Sequence, residues 1–132
     1  MAGALTLMLG DESGGAGGGG ALGSLVWTNI YTPPGTRFGV TNTLTITGIT
    51  GSLTLTGNAS GPSLGSLEPV LNGFTPSSWN PAGTPQPVTV MAGDTLAWAI
   101  NNFTGTTVSG TVTVKRTDTG ATIATFTYLV HA

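Results

Sequence analysis

The sequence predicts an all-β fold, an antiparallel two-sheet β-sandwich preceded by a flexible glycine-rich N-terminal arm. Aliphatic or aromatic residues alternate with threonine along much of the chain, which is the period of a half-buried strand. No segment shows a clear run of apolar residues at helical spacing, and the 22 glycines interrupt the candidate windows. Seven or eight short strands joined by glycine- and asparagine-rich turns suit two packed sheets better than one open sheet.

The chain begins with an apolar tip, MAGALTLML, followed by a glycine-dominated tether that ends at residue 23. Glycine loses the most backbone entropy on ordering, so we expect residues 10–23 to be flexible. A nine-residue tip cannot bury itself well. We favour its addition as a strand or plug on a neighbouring subunit, while folding back as the first strand of its own domain stays open. The residues expected to contact a partner are Leu5, Leu7 and Leu9.

The start of the chain lacks the positive region of a secretory signal and runs directly into Gly10, Asp11 and Glu12. No stretch approaches the roughly 18 apolar residues of a membrane helix. We therefore expect a soluble protein made inside the cell, with no membrane partner.

The sandwich domain is expected to span residues 24–132, and its first strand begins near Leu25. Alternation predicts that Val26, Thr28 and Ile30 face one way, and that Leu25, Trp27 and Tyr31 face the other. The segments 43–47 and 52–56 are cleaner, with aliphatic residues on one face and threonines on the other. A short Gly-Ile-Thr-Gly link joins them, which predicts a hairpin.

The later strands follow the same pattern. Val88 and Val90 begin a run that turns at Ala-Gly-Asp, after which Leu96, Trp98 and Ile100 share a face. Residues 111–115 and 122–130 are predicted to form a closing hairpin, with the aromatic residues of the second strand inward and its threonines outward. The strand order is open, and both an immunoglobulin-like sandwich and a jelly roll fit.

One segment, residues 57–87, fits no strand in this scheme and holds six of the eight prolines. Long loops without regular structure are usually functional or disordered, and its apolar anchors argue against disorder. We expect an ordered excursion that meets a partner through Leu67, Phe74 and Trp79. A helical turn at 67–71, with Pro69 in its first turn, is a further expectation.

Charge and cysteine content exclude several functions. Only eight residues are charged, and Arg37, Lys115 and Arg116 are the only basic ones, too few to neutralise a run of phosphates. We expect no nucleic-acid partner. Cysteine is absent, so the chain forms no disulfide and no thiolate metal site.

Few residues of the chain are suited to catalysis. Asp94 and Asp118 lie in turn sequences, where a carboxylate commonly accepts hydrogen bonds from nearby backbone N–H groups. Glu68 is expected to cap the helical turn. His131 is next to last, and no second histidine or nucleophile motif accompanies it. We expect no catalytic, cofactor or metal site.

Two motif matches are explained by composition. Residues 15–20 satisfy G-x-G-x-x-G inside a glycine run, without the strand and helix that a nucleotide loop needs. Asn58-Ala59-Ser60 and Asn102-Phe103-Thr104 match the glycosylation sequon, but no signal peptide accompanies them.

The three tryptophans differ in context. Trp98 lies between Leu96 and Ile100 in a predicted strand, which indicates core packing. Trp27 is ambiguous. Trp79 lies in the proline-rich excursion, and we favour a protein contact over a glycan contact because tryptophan is enriched at interface centres.

The stretch VMAGDTLAW at 90–98, followed by GTVTV at 110–114 and TGATI at 119–123, resembles small immunoglobulin-like modules. Together with the glycine tether and the cysteine-free, threonine-rich composition, this stretch resembles small virion proteins of tailed bacteriophages. The resemblance covers residues 88–130 at motif level. It implies head decoration, or a fibre, neck or tail accessory role, without catalysis, and no binding residue can be carried over.

The sequence thus favours a non-enzymatic virion protein, a decoration, minor capsid, neck or tail accessory protein docked on major capsid or tail proteins. A homo-oligomer, with a trimer as one form, is expected. The alternative is a carbohydrate-binding or adhesin module with Trp79 and Tyr31 as stacking platforms. The third hypothesis is an enzyme, which requires an unexpected cluster of Asp94, Asp118 or Glu68 in one cleft.

Deleting residues 1–23 should leave the sandwich folded but abolish incorporation into particles, because the arm is expected to reach a neighbouring subunit. Thermal unfolding checks the fold, and gel analysis of purified particles checks incorporation. Unchanged incorporation would remove the arm from the docking mechanism.

Overall fold

The computed structural model describes residues 21–60, 66–74 and 86–132. These ranges contain nine strands, and all-β architecture is confirmed: β1 Ile30–Tyr31, β2 Phe38–Val40, β3 Leu44–Thr45, β4 Ser52–Ala59, β5 Ser66–Leu71, β6 Gln86–Met91, β7 Thr95–Asn101, β8 Val108–Arg116 and β9 Thr122–Val130. No helix in the described ranges is long and apolar enough to cross a membrane.

The strands form two sheets, which confirms the predicted sandwich. The large sheet has the order β1-β9-β8-β4-β6. In the small sheet, β7 is central: β2 and β3 pair in succession along one edge, and β5 pairs along the other. The pairing is antiparallel except between β1 and β9, which run parallel with Tyr128 opposite Ile30.

The closing hairpin is confirmed, since β8 and β9 pair from Lys115 and Thr122 to Val108 and Val130. The hairpin predicted for residues 43–56 is wrong, because β3 lies in the small sheet and β4 in the large one. The backbone of Ile46 instead bonds the β6–β7 turn, donating to Asp94 O and accepting from Gly93 N at 2.8 Å each. The link after β3 therefore crosses between sheets, and its Ile49 is buried in the core.

The 57–87 excursion also needs correction, because β4 extends to Ala59, β6 begins at Gln86, and β5 lies between them. The predicted helical turn at 67–71 is a strand. Pro69 is accommodated because β5 lies at an edge among the described strands, and the backbone of Leu71, two residues on, points away from β7 to bond Phe74. Proline at such an outward position removes no ladder hydrogen bond.

A tight turn follows β5. Asn72 and Gly73 have φ values of 53° and 81°, and Leu71 and Phe74 exchange backbone hydrogen bonds of 3.2 and 3.0 Å. Positive φ at both central residues defines a type I′ turn, for which Asn-Gly is the favoured pair. This dipeptide was the sequence signal for a hairpin turn inside the supposed excursion.

The facing predicted for the first strand is only half right. Leu25 and Trp27 are buried and Val26 is exposed, but Ile30 is buried and Tyr31 exposed. Only Ile30–Tyr31 pairs as a strand, so the alternation breaks before it. Phase is kept only along a continuous strand, which explains the error.

The core is organised around Trp98 of β7, which is fully buried as predicted. Its indole points at β4, where a Cβ built on Gly57 would lie 2.6 Å from Trp98 Cζ3. Trp27 packs edge-on against it, with ring centroids 6.2 Å apart, and donates from Nε1 to Leu96 O at 3.0 Å. In the described part of the chain Trp98 Nε1 has no hydrogen-bond partner, so packing alone positions this ring.

Gly57→Ala should lower the free energy of unfolding by about 1–3 kcal/mol, because the new methyl group overlaps the Trp98 ring and the sheets must separate. Ser52→Ala, at an exposed position of the same strand, is the matched control and should change little. Urea denaturation measures both. Equal stability of the two variants would contradict the close packing of Gly57 on Trp98.

Candidate binding surfaces

The central strand of the small sheet is apolar on both faces. Leu96, Trp98 and Ile100 of β7 point into the sandwich, while Ala97 and Ala99 point outward and are buried as well. The outward side chains of the flanking strands continue this surface, since Val40 lies opposite Ala99 and Val70 opposite Ala97. We call this surface the apolar face; it comprises Phe38, Val40, Val70, Ala97 and Ala99.

Part of the apolar face is open. Phe38 and Val40 are 43% and 50% exposed on the edge strand β2. A sheet that faces water normally alternates apolar and polar residues, whereas a sheet covered on both sides carries continuous apolar runs. The run LAWAI at 96–100 was the sequence signal for this two-sided strand, although only one of its faces was predicted.

The predicted partner-contact residues have different positions. Leu67 is 1% exposed and packs in the core, so its role is structural. Phe74, next to the type I′ turn, is 78% exposed. Leu5, Leu7, Leu9 and Trp79 lie outside the described residues.

Asn102 is a buried hydrogen-bonding centre at one end of the sandwich. Its Nδ2 donates to three carbonyls, of Thr106, Val130 and His131, at 2.7–3.2 Å. Its Oδ1 accepts from the backbone N–H and the hydroxyl of Thr104, at 2.9 and 2.7 Å. A fully buried amide bonded in this way is not accessible to a modifying enzyme. Asn102 therefore has a structural role, and its sequon match is not a modification site. The sequon at Asn58 is exposed.

The carboxylates at the turns have the structural roles expected of them. Asp94 accepts from the N–H of Met91 at 2.8 Å and from Asn72 Nδ2 at 3.2 Å. Asp118 is held by a two-point contact from Arg116, at 3.1 and 2.8 Å. This hydrogen bond lowers the pKa of Asp118 and raises the pKa of Arg116. The described residues contain no group of three side chains able to hold a metal ion.

Glu68 does not cap a helix. It lies on β5 opposite Ala99, with its side chain on the outer side of the small sheet, and is 2% exposed. Burial of a carboxyl is costly unless it is hydrogen-bonded, so its position favours a structural role at the apolar face. Asp94 bonds Asn72, whose backbone lies about 13 Å from that of Glu68 by strand rise.

Tyr128 packs at the C-terminal end of β4, beside Ser60. Its ring lies over Gly110, the residue facing it on β8, where a Cβ would come within 2.6 Å of the phenol oxygen. The phenol donates to Ser60 O, and Ser60 also bonds the backbone of Thr111. Burial raises the pKa of Tyr128.

Tyr31 and His131 are neighbours at the edge of the large sheet. Tyr31 is 70% exposed, and the two ring centroids lie 6.1 Å apart. His131 Nδ1 contacts Thr32 O at 2.6 Å, so this nitrogen carries a proton and donates it. The backbone N–H of His131 also donates to the Thr32 hydroxyl at 2.9 Å, so the histidine is tied to the fold at two points.

No family model matches the chain, and no curated protein matches it. A solved structure described as the N-terminal domain of PorA aligns with 80% of this chain and 84% of its own, at 14% identity and a TM-score of 0.28. A TM-score of this size does not establish a shared fold.

The raised pKa of Tyr128 predicts a pH dependence at the alkaline end. The native state holds this proton more tightly than the unfolded chain, in which tyrosine titrates near pH 10. The stability it contributes is complete below that pH and declines as pH rises through the folded-state pKa. Between about pH 8 and 11, the free energy of unfolding measured by urea denaturation should fall more steeply with pH for the wild type than for Tyr128→Phe. Identical slopes would contradict a buried phenol.

Proposed function

We propose that this protein is a non-enzymatic virion component of a tailed phage, a head decoration, minor capsid, neck or tail accessory protein that docks on a protein lattice. The apolar face carries the proposal. A sheet face with alanines, valines and an exposed phenylalanine, on a chain with only eight charges, is suited to burial against another protein.

The chemistry of the apolar face favours a protein partner. Interface cores are depleted of charge and enriched in aromatic residues. Phe38 and Val40 provide an uncharged surface of this kind, with one aromatic ring, at the exposed edge of the face. Ionised groups cost free energy when buried. The exposed residues of the face are uncharged, and Glu68, the carboxyl on the same side of the sheet, is itself buried. The exposed ring of Phe74 offers a second contact at the end of β5.

On this proposal the partners are major capsid or tail proteins, with assembly into a homo-oligomer, a trimer being one form. The protein is made in the host cytoplasm and resides in the virion. The N-terminal arm adds a further contact through Leu5, Leu7 and Leu9.

The test is to purify particles from the source on a density gradient and quantify this chain per particle by mass spectrometry against the major coat protein. Hundreds of copies indicate a head-lattice or tail-tube role, and a dozen or fewer a vertex, neck or tail-tip role. Complete absence from particles would overturn the proposal.

Val40→Asp should reduce incorporation at least tenfold, because it places a carboxylate on the exposed part of the docking surface, where desolvation is costly. Thr125→Asp, at an exposed position of the large sheet, is the matched control and should incorporate normally. Copies per particle provide the readout, and unfolding temperatures establish that both variants fold. Equal incorporation of the two variants would exclude the apolar face as the contact.

A further inference from the structure

The outer face of the large sheet differs sharply from the apolar face. Its outward positions carry hydroxyls in register across four strands, and no outward residue of those strands is a carboxylate. The cross-strand pairs are Thr127 with Thr111, Thr125 with Thr113, Thr113 with Asn58, Thr56 with Lys115, and Thr54 with Thr89. We call this surface the hydroxyl face.

A groove of about 350 Å³ lies on the hydroxyl face between β4 and β8, lined by Thr56, Asn58, Ala59, Ser60, Thr113 and Lys115. This volume lies at the lower end of the range for small-ligand sites, roughly 300–1,000 Å³. From Thr56 to Ser60 the strand rises about 13 Å, so the groove is long enough for a short oligosaccharide.

Three polar groups of the groove are available to a ligand. In the part of the chain that the structure describes, the side chains of Asn58, Thr113 and Lys115 make no hydrogen bond or ion pair. Arg116, the neighbouring cation, is neutralised by Asp118. Lys115 is therefore an unpaired positive charge beside neutral hydroxyl and amide groups.

We propose that the hydroxyl face binds an acidic polysaccharide, with a sugar carboxylate on Lys115 and sugar hydroxyls on Asn58 and Thr113. The ligand chemistry follows from the surface: aligned hydroxyl and amide groups exchange hydrogen bonds with a polyol, and the unpaired ammonium selects an acidic one. A protein interface core would instead be apolar.

The position of Tyr31 supports the same ligand. Tyr31 faces Leu129 across β1 and β9, so its exposed ring lies on the hydroxyl face. It lies about 12 Å from the groove across the strands and about 13 Å from Thr113 along them, because Leu129 pairs with Ser109. An aromatic ring at this distance provides a stacking surface for a further sugar of the same chain. This site is separate from the apolar face, and the inference does not depend on the proposed virion role.

The test is calorimetric titration of the full chain with oligogalacturonate, a polymer of uronic acid, and with dextran, a neutral glucan. Oligogalacturonate should bind with an affinity that falls as salt is raised, and dextran should bind at least tenfold more weakly. Lys115→Gln should weaken oligogalacturonate binding at least fivefold and reduce its salt dependence. Arg37→Gln, which removes a cation outside the groove, is the matched control and should bind as the wild type.

Thr113→Val tests the hydroxyl contribution, because valine keeps the shape and strand preference of threonine. It should weaken binding at least threefold, whereas Thr45→Val in the small sheet should not. Absence of oligogalacturonate binding would overturn the inference, and so would equal losses in Lys115→Gln and Arg37→Gln. Equal binding of dextran would overturn the acidic selectivity. Particle incorporation of Lys115→Gln should stay normal, which separates this site from docking on a lattice.

Discussion

The contact between the Trp98 indole and the Gly57 backbone sets the distance between the two sheets. An indole is the largest side chain the core must hold, and it fits because the facing strand has no Cβ at this point. Trp27 closes the remaining side and is fixed by its bond to Leu96 O. The chain has neither a disulfide nor a described buried ion pair to hold the sheets together, so their separation depends on this packing.

With that separation fixed, each sheet has one inner and one outer face, and the two outer faces have opposite chemistry. The outward positions of β4, β8 and β9 are mostly threonines, whereas those of β7 include Ala97 and Ala99. β-Branched threonine suits a strand and tolerates water, while alanine between valines suits a covered surface. The molecule therefore presents one surface suited to a protein partner and one suited to a hydrated ligand.

Two carboxylates and one buried amide stabilise the connections between strands. Asp94 links the β6–β7 turn to the end of β5 through Asn72, and Asp118 is held by Arg116 in the last hairpin. Asn102 performs the same task without charge, since one amide satisfies carbonyls from two separate segments. Because most polar groups are used locally, the unpaired Lys115 stands out as a group available for binding.

The sequence by itself determined the all-β class, the closing hairpin, the inward facing of Leu96, Trp98 and Ile100, and the turn at Asp94, because these depend on local alternation and turn chemistry. Only the tertiary structure decided that β3 and β4 belong to different sheets and that β5 is a strand. A period of two marks a strand but does not identify its partner, since pairing depends on which distant edge is free. For the same reason the two outer faces became visible only when residues distant in sequence were placed side by side.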